Sequence, residues 1–264
     1  MPVRYEYLRR NDTGPVATVA LARPEAHNAL NAELVEELAR CFEELADDEG
    51  VRVVVLEGEG RSFCAGADVG YMRDTAAFSY EENVEDARRL AMMFWVLDEC
   101  PKPVVAKIWG AAIGGGAGLV AVADVAVAEE STQFAFSEVR LGIAPATIAP
   151  FVVRKVGVSH ARSLFLTGER FGARRAAQIG LVHEVAPEAD LDAAVEEKVE
   201  GLLSGGPAAQ ATVKGLLRRL ETTEPMDQPG LTARVISELR TGEEGQEGLA
   251  AFLTKREPRW RPDR

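Results

Sequence analysis

The chain has 264 residues, 47% of them apolar and 27% charged, and a formal charge of −12. Those proportions belong to a globular protein able to bury a large core, and the acidic balance argues against nucleic acid or an anionic membrane as partner, since both demand a basic face. An anionic small molecule stays admissible if cations are gathered locally. The N-terminal stretch "MPVRYEYLRRNDTG" has no apolar centre of the signal-peptide kind, and no apolar run approaches the roughly 20 residues of a membrane span, so a cytoplasmic setting is expected.

In chain order, two alternating runs, Tyr5–Arg9 and Val16–Leu21, flank Asn11-Asp12-Thr13-Gly14 and predict a hairpin turning on those four residues. From an Asn31 cap to Asp47, Leu34, Val35, Leu38, Phe42 and Leu45 recur at helical spacing. "VRVVVLEG" (51–58) reads as a buried strand, followed by the glycine-rich loop "EGRSFCAGADVG" (59–70). An amphipathic helix is expected over Tyr80–Asp98, ended by Pro101 and Pro103, which introduce the strand Val104–Ile108. A glycine cluster comes next, with a short helix over about Gly115–Ala123 and then the strand "DVAVA" (124–128). Alternating strands and helices predict an α/β fold with parallel pairing. Beyond residue 145, "APFVVRKVG" (149–157), "SHARSLFLTG" (159–168) and "GARRAAQIG" (172–180) read mostly as helix. A division is expected near residue 190, with a core over 1–190 and a helical region over 191–264.

Cys41, Cys64 and Cys100 lie too far apart for metal or redox spacing, and His27, His160 and His183 each stand alone, so no metal site is expected. The GxSxG and phosphate-loop patterns are missing. Residues 116–121 do satisfy GxGxxA, but Glu129 and Glu130 follow too soon for a dinucleotide unit. The glycines have a better use at a helix N-terminus, where unpaired backbone N–H groups can meet a ligand oxygen with no side chain in the way. One such donor is half of an oxyanion hole, and the loop "FCAGAD" (63–68) can offer the other. Small-residue turns also serve close packing, so the pairing by itself leaves both uses open.

Several segments carry a resemblance: "LARPEAHNALN" (21–31), "RSFCAGADV" (61–69), "KPVVAKIWGAAIGGGAG" (102–118), "FSEVRLGIAP" (136–145), "LTGERFGARRAAQIGLVHEV" (166–185) and "FLTKREPRW" (252–260). In this order they resemble the enoyl-CoA hydratase/isomerase, or crotonase, superfamily from about residue 5 to 260. The resemblance implies a crotonase-type core of repeated ββα turns with two roughly perpendicular sheets, and a C-terminal helical region that builds a homotrimer or a dimer of trimers. It implies an acyl-CoA substrate, no cofactor beyond the coenzyme A of that substrate, and an oxyanion hole from the N–H groups of Ala67 and Gly115. It places the proton-carrying carboxylate at Glu138 and, where two-glutamate hydratases keep a second one, it finds Gly118. Phe134, Phe136, Val139 and Leu141 around Glu138 predict an apolar setting that favours its protonated form. Glu129 and Glu130, at a strand end, are the other acids in reach of a replacement role.

The resemblance further implies that Arg23 meets the nucleotide phosphates, that Ala26 and the Gly66–Asp68 loop meet adenine, and that Phe252 and Lys255 reach over from a neighbouring subunit. Ala65, Gly114 and Gly118 complete the substrate-binding set. The continuation "SEVRLGIAPATIAPFVVRKVG" (137–157) is similar to hydratases acting on branched or methylglutaconyl-type thioesters. An enoyl-CoA isomerase using one carboxylate and a non-catalytic acyl-CoA-binding member are the alternatives.

Overall fold

The computed structural model describes residues 5–261. Strands β1 (Leu8–Thr13) and β2 (Val16–Leu21) form an antiparallel hairpin with Thr13 opposite Val16. The expected turn is corrected: Asn11, Asp12 and Thr13 are strand residues, and Gly14-Pro15 makes the reversal. Gly14 has φ +55°, which glycine adopts freely, and proline fixes the next φ, so the chain can reverse in two residues.

Helix α1 (Ala32–Asp47) starts where Asn31 accepts from the Leu34 N–H and buries the expected apolar face. β3 (Val53–Gly58) follows, then two helices, α2 (Val69–Thr75) and α3 (Tyr80–Glu99). α3 opens on a reciprocal capping box between Ser79 and Glu82. β4 (Val104–Ile108) spans the expected residues, and β5 (Ala111–Ile113) leads into α4 (Gly115–Val122) and β6 (Val125–Glu129). β7 (Gln133–Ala135), a single turn Glu138–Leu141 and α5 (Ala149–Thr167) come next, α5 broken at Gly157, φ +76°. β8 (Arg170–Gly172), α6 (Ala173–Gln178) and β9 (Glu184–Ala186) complete the core.

Six strands make one sheet in the order β1-β2-β3-β4-β6-β9, parallel throughout except for β1. β5, β7 and β8 make a second sheet, carried onward by single bridges between Cys64 and Ala112 and between Leu30 and Ala67. The second sheet thus runs under the glycine-rich loop and into α4.

Strand periodicity assigns the large sheet's two faces. Val54 and Leu56 join the main core with Leu38, Phe42, Phe94, Val120 and Val152, while Val53, Val55, Val105 and Val127 pack beneath α7 (Leu191–Ser204) through Leu191, Val195 and Val199. The packing therefore continues across residue 190. α8 (Pro207–Thr222), α9 (Gln228–Thr241) and α10 (Glu243–Thr254) bury much less, with Leu231, Val235 and Ala251 their buried residues.

Candidate active site

Each glycine at the start of α4 meets a separate steric demand. Gly114 has φ +51°, and a Cβ there would stand 3.0 Å from Glu138 Oε1. Gly116 lies so close to the loop that a Cβ would stand 2.3 Å from the Cys64 carbonyl oxygen. Gly115 between them is the first residue of α4, so its N–H has no acceptor within the helix.

The loop is held just as tightly. Cys64 donates to the Ala111 oxygen at 2.9 Å and accepts from Ile113 at 3.0 Å. The Gly66 oxygen accepts from Leu30 at 2.7 Å, and Asp68 donates back to the Leu30 oxygen at 2.9 Å. That bridge uses the groups on either side of Ala67, whose own N–H donates to no acceptor among the described residues. Ala67 and Gly115 both line one cavity of about 470 Å³, as do Ala65, Gly66 and Gly114.

Glu138 reaches the same cavity from the turn after β7. Its Oε2 is buried without a hydrogen-bond partner, and burial pushes its carboxyl above the ordinary glutamate range. The apolar surroundings agree with those expected at Leu141 and differ elsewhere. Phe134 and Phe136 turn wholly into the core, against Phe171 and Phe165, and the apolar lining near the carboxylate comes from Leu141, Ile143 and Ile148.

Gly118 is buried and lies outside the cavity lining. A Cβ there would stand 2.4 Å from Ile148 Cγ2 and 3.0 Å from Phe94 Cε1, so the room a second carboxylate needs is filled by hydrocarbon. Glu129 does not replace it: buried at the end of β6, it accepts from the Ser131 N–H at 2.8 Å. Glu130 is exposed, and neither acid lines the cavity.

A further part of the lining comes from α2 and α3, where the sequence carries no site motif. α2 buries none of its residues, yet Tyr71, Met72 and Thr75 face the cavity, and Asp86, Ala87, Arg89 and Leu90 of α3 continue that wall. The Tyr71 hydroxyl donates to Asp86. Burial, reinforced by Asp86, pushes the Tyr71 phenol up, so it stays protonated.

The sequence matches the family model described as enoyl-CoA hydratase/isomerase over residues 11–263. The chain belongs to the enoyl-CoA hydratase/isomerase family. It is similar to the enoyl-CoA hydratase AKT6-1 of Alternaria alternata, at 36% identity over 97% of this chain and 84% of that one. Among solved structures it is similar to an enoyl-CoA hydratase from Shewanella pealeana, with TM-score 0.94, 38% identity and 97% of each chain covered. Pseudomonas aeruginosa AtuE is similar at TM-score 0.94 and 39% identity, over 97% of this chain and all of that one, 100%.

In this hydratase/isomerase-family chain the residues expected to meet the nucleotide fall into two groups, Arg23 and Ala26 beside the Gly66–Asp68 loop, and Phe252 and Lys255 at the end of α10. Arg23 lies outside the cavity lining and is already engaged: its guanidinium donates to Asp68 at 2.9 Å and to the Ala29 oxygen, and lies over the Tyr7 ring. Asp68 in turn caps α2 by accepting from the Tyr71 N–H at 3.0 Å, so Arg23 and Asp68 brace the loop that carries Ala67. Ala26 ends a short turn outside the cavity lining. Phe252, 82% exposed, and Lys255, also exposed, sit at the end of α10 and do not line this chain's cavity.

The far end of α4 is also secured. The Lys155 ammonium donates to the Val120 oxygen at 3.4 Å and to the Ala123 oxygen, carbonyls of the helix's last turn. Burial pushes that ammonium down to about 8. Ile148 and Lys155 of one segment thus hold α4 at its middle and its end, with Gly115 free at its start.

Proposed function

We propose that the chain is an enoyl-CoA hydratase, adding water across the 2,3 double bond of an acyl-CoA thioester. The observation that carries this reading is the half-buried Glu138 carboxylate in one cavity with the unengaged amides of Ala67 and Gly115. The thioester oxygen would lie between the two N–H groups, which stabilise the negative charge gathering there; one such donor is typically worth about 3 kcal/mol. Glu138 takes a proton from water as the water oxygen bonds to C3, the double-bond electrons move onto the thioester as an enolate, and C2 then receives a proton from Glu138. The product is a 3-hydroxyacyl-CoA, and no cofactor beyond the substrate's own coenzyme A is required. The apolar lining suits a branched acyl group, and the free carboxylate of a methylglutaconyl-type group would call on the lining cation Arg89.

The test is an ultraviolet assay over a panel of 2-enoyl- and 3-enoyl-CoA thioesters. Hydration removes the conjugated absorbance of a 2-enoyl-CoA, and failure to do so with every member of the panel would overturn the reading. The closed space at Gly118 favours a second reading, an enoyl-CoA isomerase in which Glu138 alone carries a proton between C2 and C4. That activity makes conjugation appear from a 3-enoyl-CoA. The retained Glu138 weighs against a non-catalytic acyl-CoA-binding member.

The same reading proposes a homotrimer or a dimer of trimers. Its support is the apolar surface that α8–α10 leave exposed, including Leu217, Ile236, Leu249, Phe252 and Leu253. Mass measured in solution by light scattering distinguishes the trimer and hexamer from a monomer.

A further inference from the structure

Hydration needs more than a base. The attacking water must aim a lone pair at C3, and two acceptors, one for each hydrogen, fix that aim. Glu138 takes one hydrogen. Ile148 and Phe94 fill the space beside Gly118 from which a second carboxylate would take the other. The second acceptor has to come from another wall.

Among the lining residues that can accept, Glu36 is largely exposed and faces Arg89 at 3.9 Å, and Asp86 is already engaged by the Tyr71 hydroxyl. Thr75, Ser137 and Thr147 carry hydroxyls, but Thr75 donates to the Met72 oxygen within α2, and a hydroxyl with a free rotor donates to water as readily as it accepts. Tyr71 differs from all of these. Its proton is committed to Asp86, which leaves the phenol oxygen an acceptor only. It also lines the same cavity as Ala67 and Glu138, from the first turn of α2, whose N-cap Asp68 directly follows Ala67. Asp68 holds that turn by accepting the Tyr71 N–H.

We propose that Tyr71 Oη, its own proton held by Asp86, accepts the second hydrogen of the attacking water and so aims that water at C3. The step balances without further groups. The water hydrogen facing Glu138 leaves as a proton, the oxygen bonds to C3, and the hydrogen on Tyr71 stays with the new hydroxyl. Tyr71 neither gains nor loses a proton, which agrees with a phenol that stays protonated. Asp86 is a positioning residue acting through Tyr71. This inference rests on the hydratase reading above.

Two reactions of the same site separate the roles. Hydration of crotonyl-CoA needs the aimed water, whereas exchange of the C2 protons of butyryl-CoA with deuterated water needs the oxyanion amides and Glu138 alone. Tyr71→Phe keeps the ring and is expected to lower the hydration kcat about tenfold to a hundredfold, the effect of one lost hydrogen bond. KM and the exchange rate are expected to stay within about twofold of wild type. Asp86→Ala is expected to show the same split with a smaller loss. Hydration by Tyr71→Phe within about twofold of wild type overturns the proposal. An exchange rate that falls as far as hydration also overturns it, because the variant then damages the whole site. The wild-type hydration rate reports the underlying reading separately: exchange without any hydration removes both conclusions, while normal hydration with an indifferent Tyr71→Phe removes only this one.

Discussion

The cavity's two walls are built on different physics. The α4 wall is fixed by contact: a glycine pressed on the Cys64 backbone, Gly118 under Ile148 and Phe94, and Lys155 on the closing carbonyls. The α2 wall buries no residue of its helix and is held by polar links, Arg23 to Asp68, Asp68 to the Tyr71 amide and Tyr71 to Asp86. The Gly115 N–H is thus set by packing, whereas the Ala67 N–H and the Tyr71 hydroxyl are set by hydrogen bonds and an ion pair, so the two proposed oxyanion donors are held by different kinds of force.

The contrast can be broken in graded ways. The largest expected effect is at the carboxylate itself. Glu138→Gln keeps the shape and removes the proton carrier, so turnover should fall about a hundredfold to ten-thousandfold, measured by the ultraviolet assay. The same variant should be more stable than wild type at neutral pH. Glu138's folded pKa is raised, so its contribution to stability is complete below the unfolded pKa and is lost as pH rises through the folded one. The wild-type rate, if Glu138 is the base, should have an acid limb above the ordinary glutamate range.

Next in size is the packed wall. Gly116→Ala forces a methyl toward backbone that has no rotamer to change, and a loss of about 3 kcal/mol in denaturant unfolding is expected. Gly14→Ala, with open space around it, should cost less and only through its backbone angle.

Lys155 gives a pH-dependent effect of comparable or smaller size. Its folded pKa of about 8 lies below the ordinary lysine value, so its contribution to stability is present above the unfolded pKa and is lost as pH falls through about 8. Raising pH from about 7.5 to about 10 should therefore add up to about 3 kcal/mol from this group, and Lys155→Met should remove that increment from the urea-unfolding profile.

The smallest effect belongs to the polar wall. Asp68→Asn keeps an N-cap acceptor and loses the ion pair to Arg23, so a change of about 1 kcal/mol is expected. If Asp68→Asn proved as damaging as Gly116→Ala, the distinction between the walls would fail.

Local chemistry explains which parts of the sequence were legible. β4 and α3 follow from their own residues: prolines bound one, and a serine–glutamate cap starts the other. The second sheet was illegible because its strands are three residues each, too short for alternation to show. α2 has no buried face to produce helical periodicity, although Asp68 in an N-cap position was a usable sign of it. Asn11 and Asp12 look like turn residues, yet the two-residue reversal at Gly14-Pro15 leaves them in the strand.

The site divides in the same manner. The resemblance pointed to Ala67, Gly115 and Glu138, which meet in one cavity. The resemblance gives Arg23 as a cation for phosphate, and its pairing with Asp68, 45 residues away, is a contact no sequence shows. Ile148, Tyr71 and Asp86 are ordinary residue types whose place at the cavity depends on how distant helices pack.

The close fit between Gly118 and Ile148 also bears on how this chain can change by mutation. A glutamate at 118 meets Ile148 before it can do any chemistry, and a small residue at 148 opens a cavity in the wall with nothing to fill it. Each single substitution is expected to be unfavourable where the pair together need not be, so the two positions are epistatic. With Phe94 also 3.0 Å from a Cβ at 118, a two-carboxylate site requires coordinated change at several positions of the packed wall, and no single substitution leads to it.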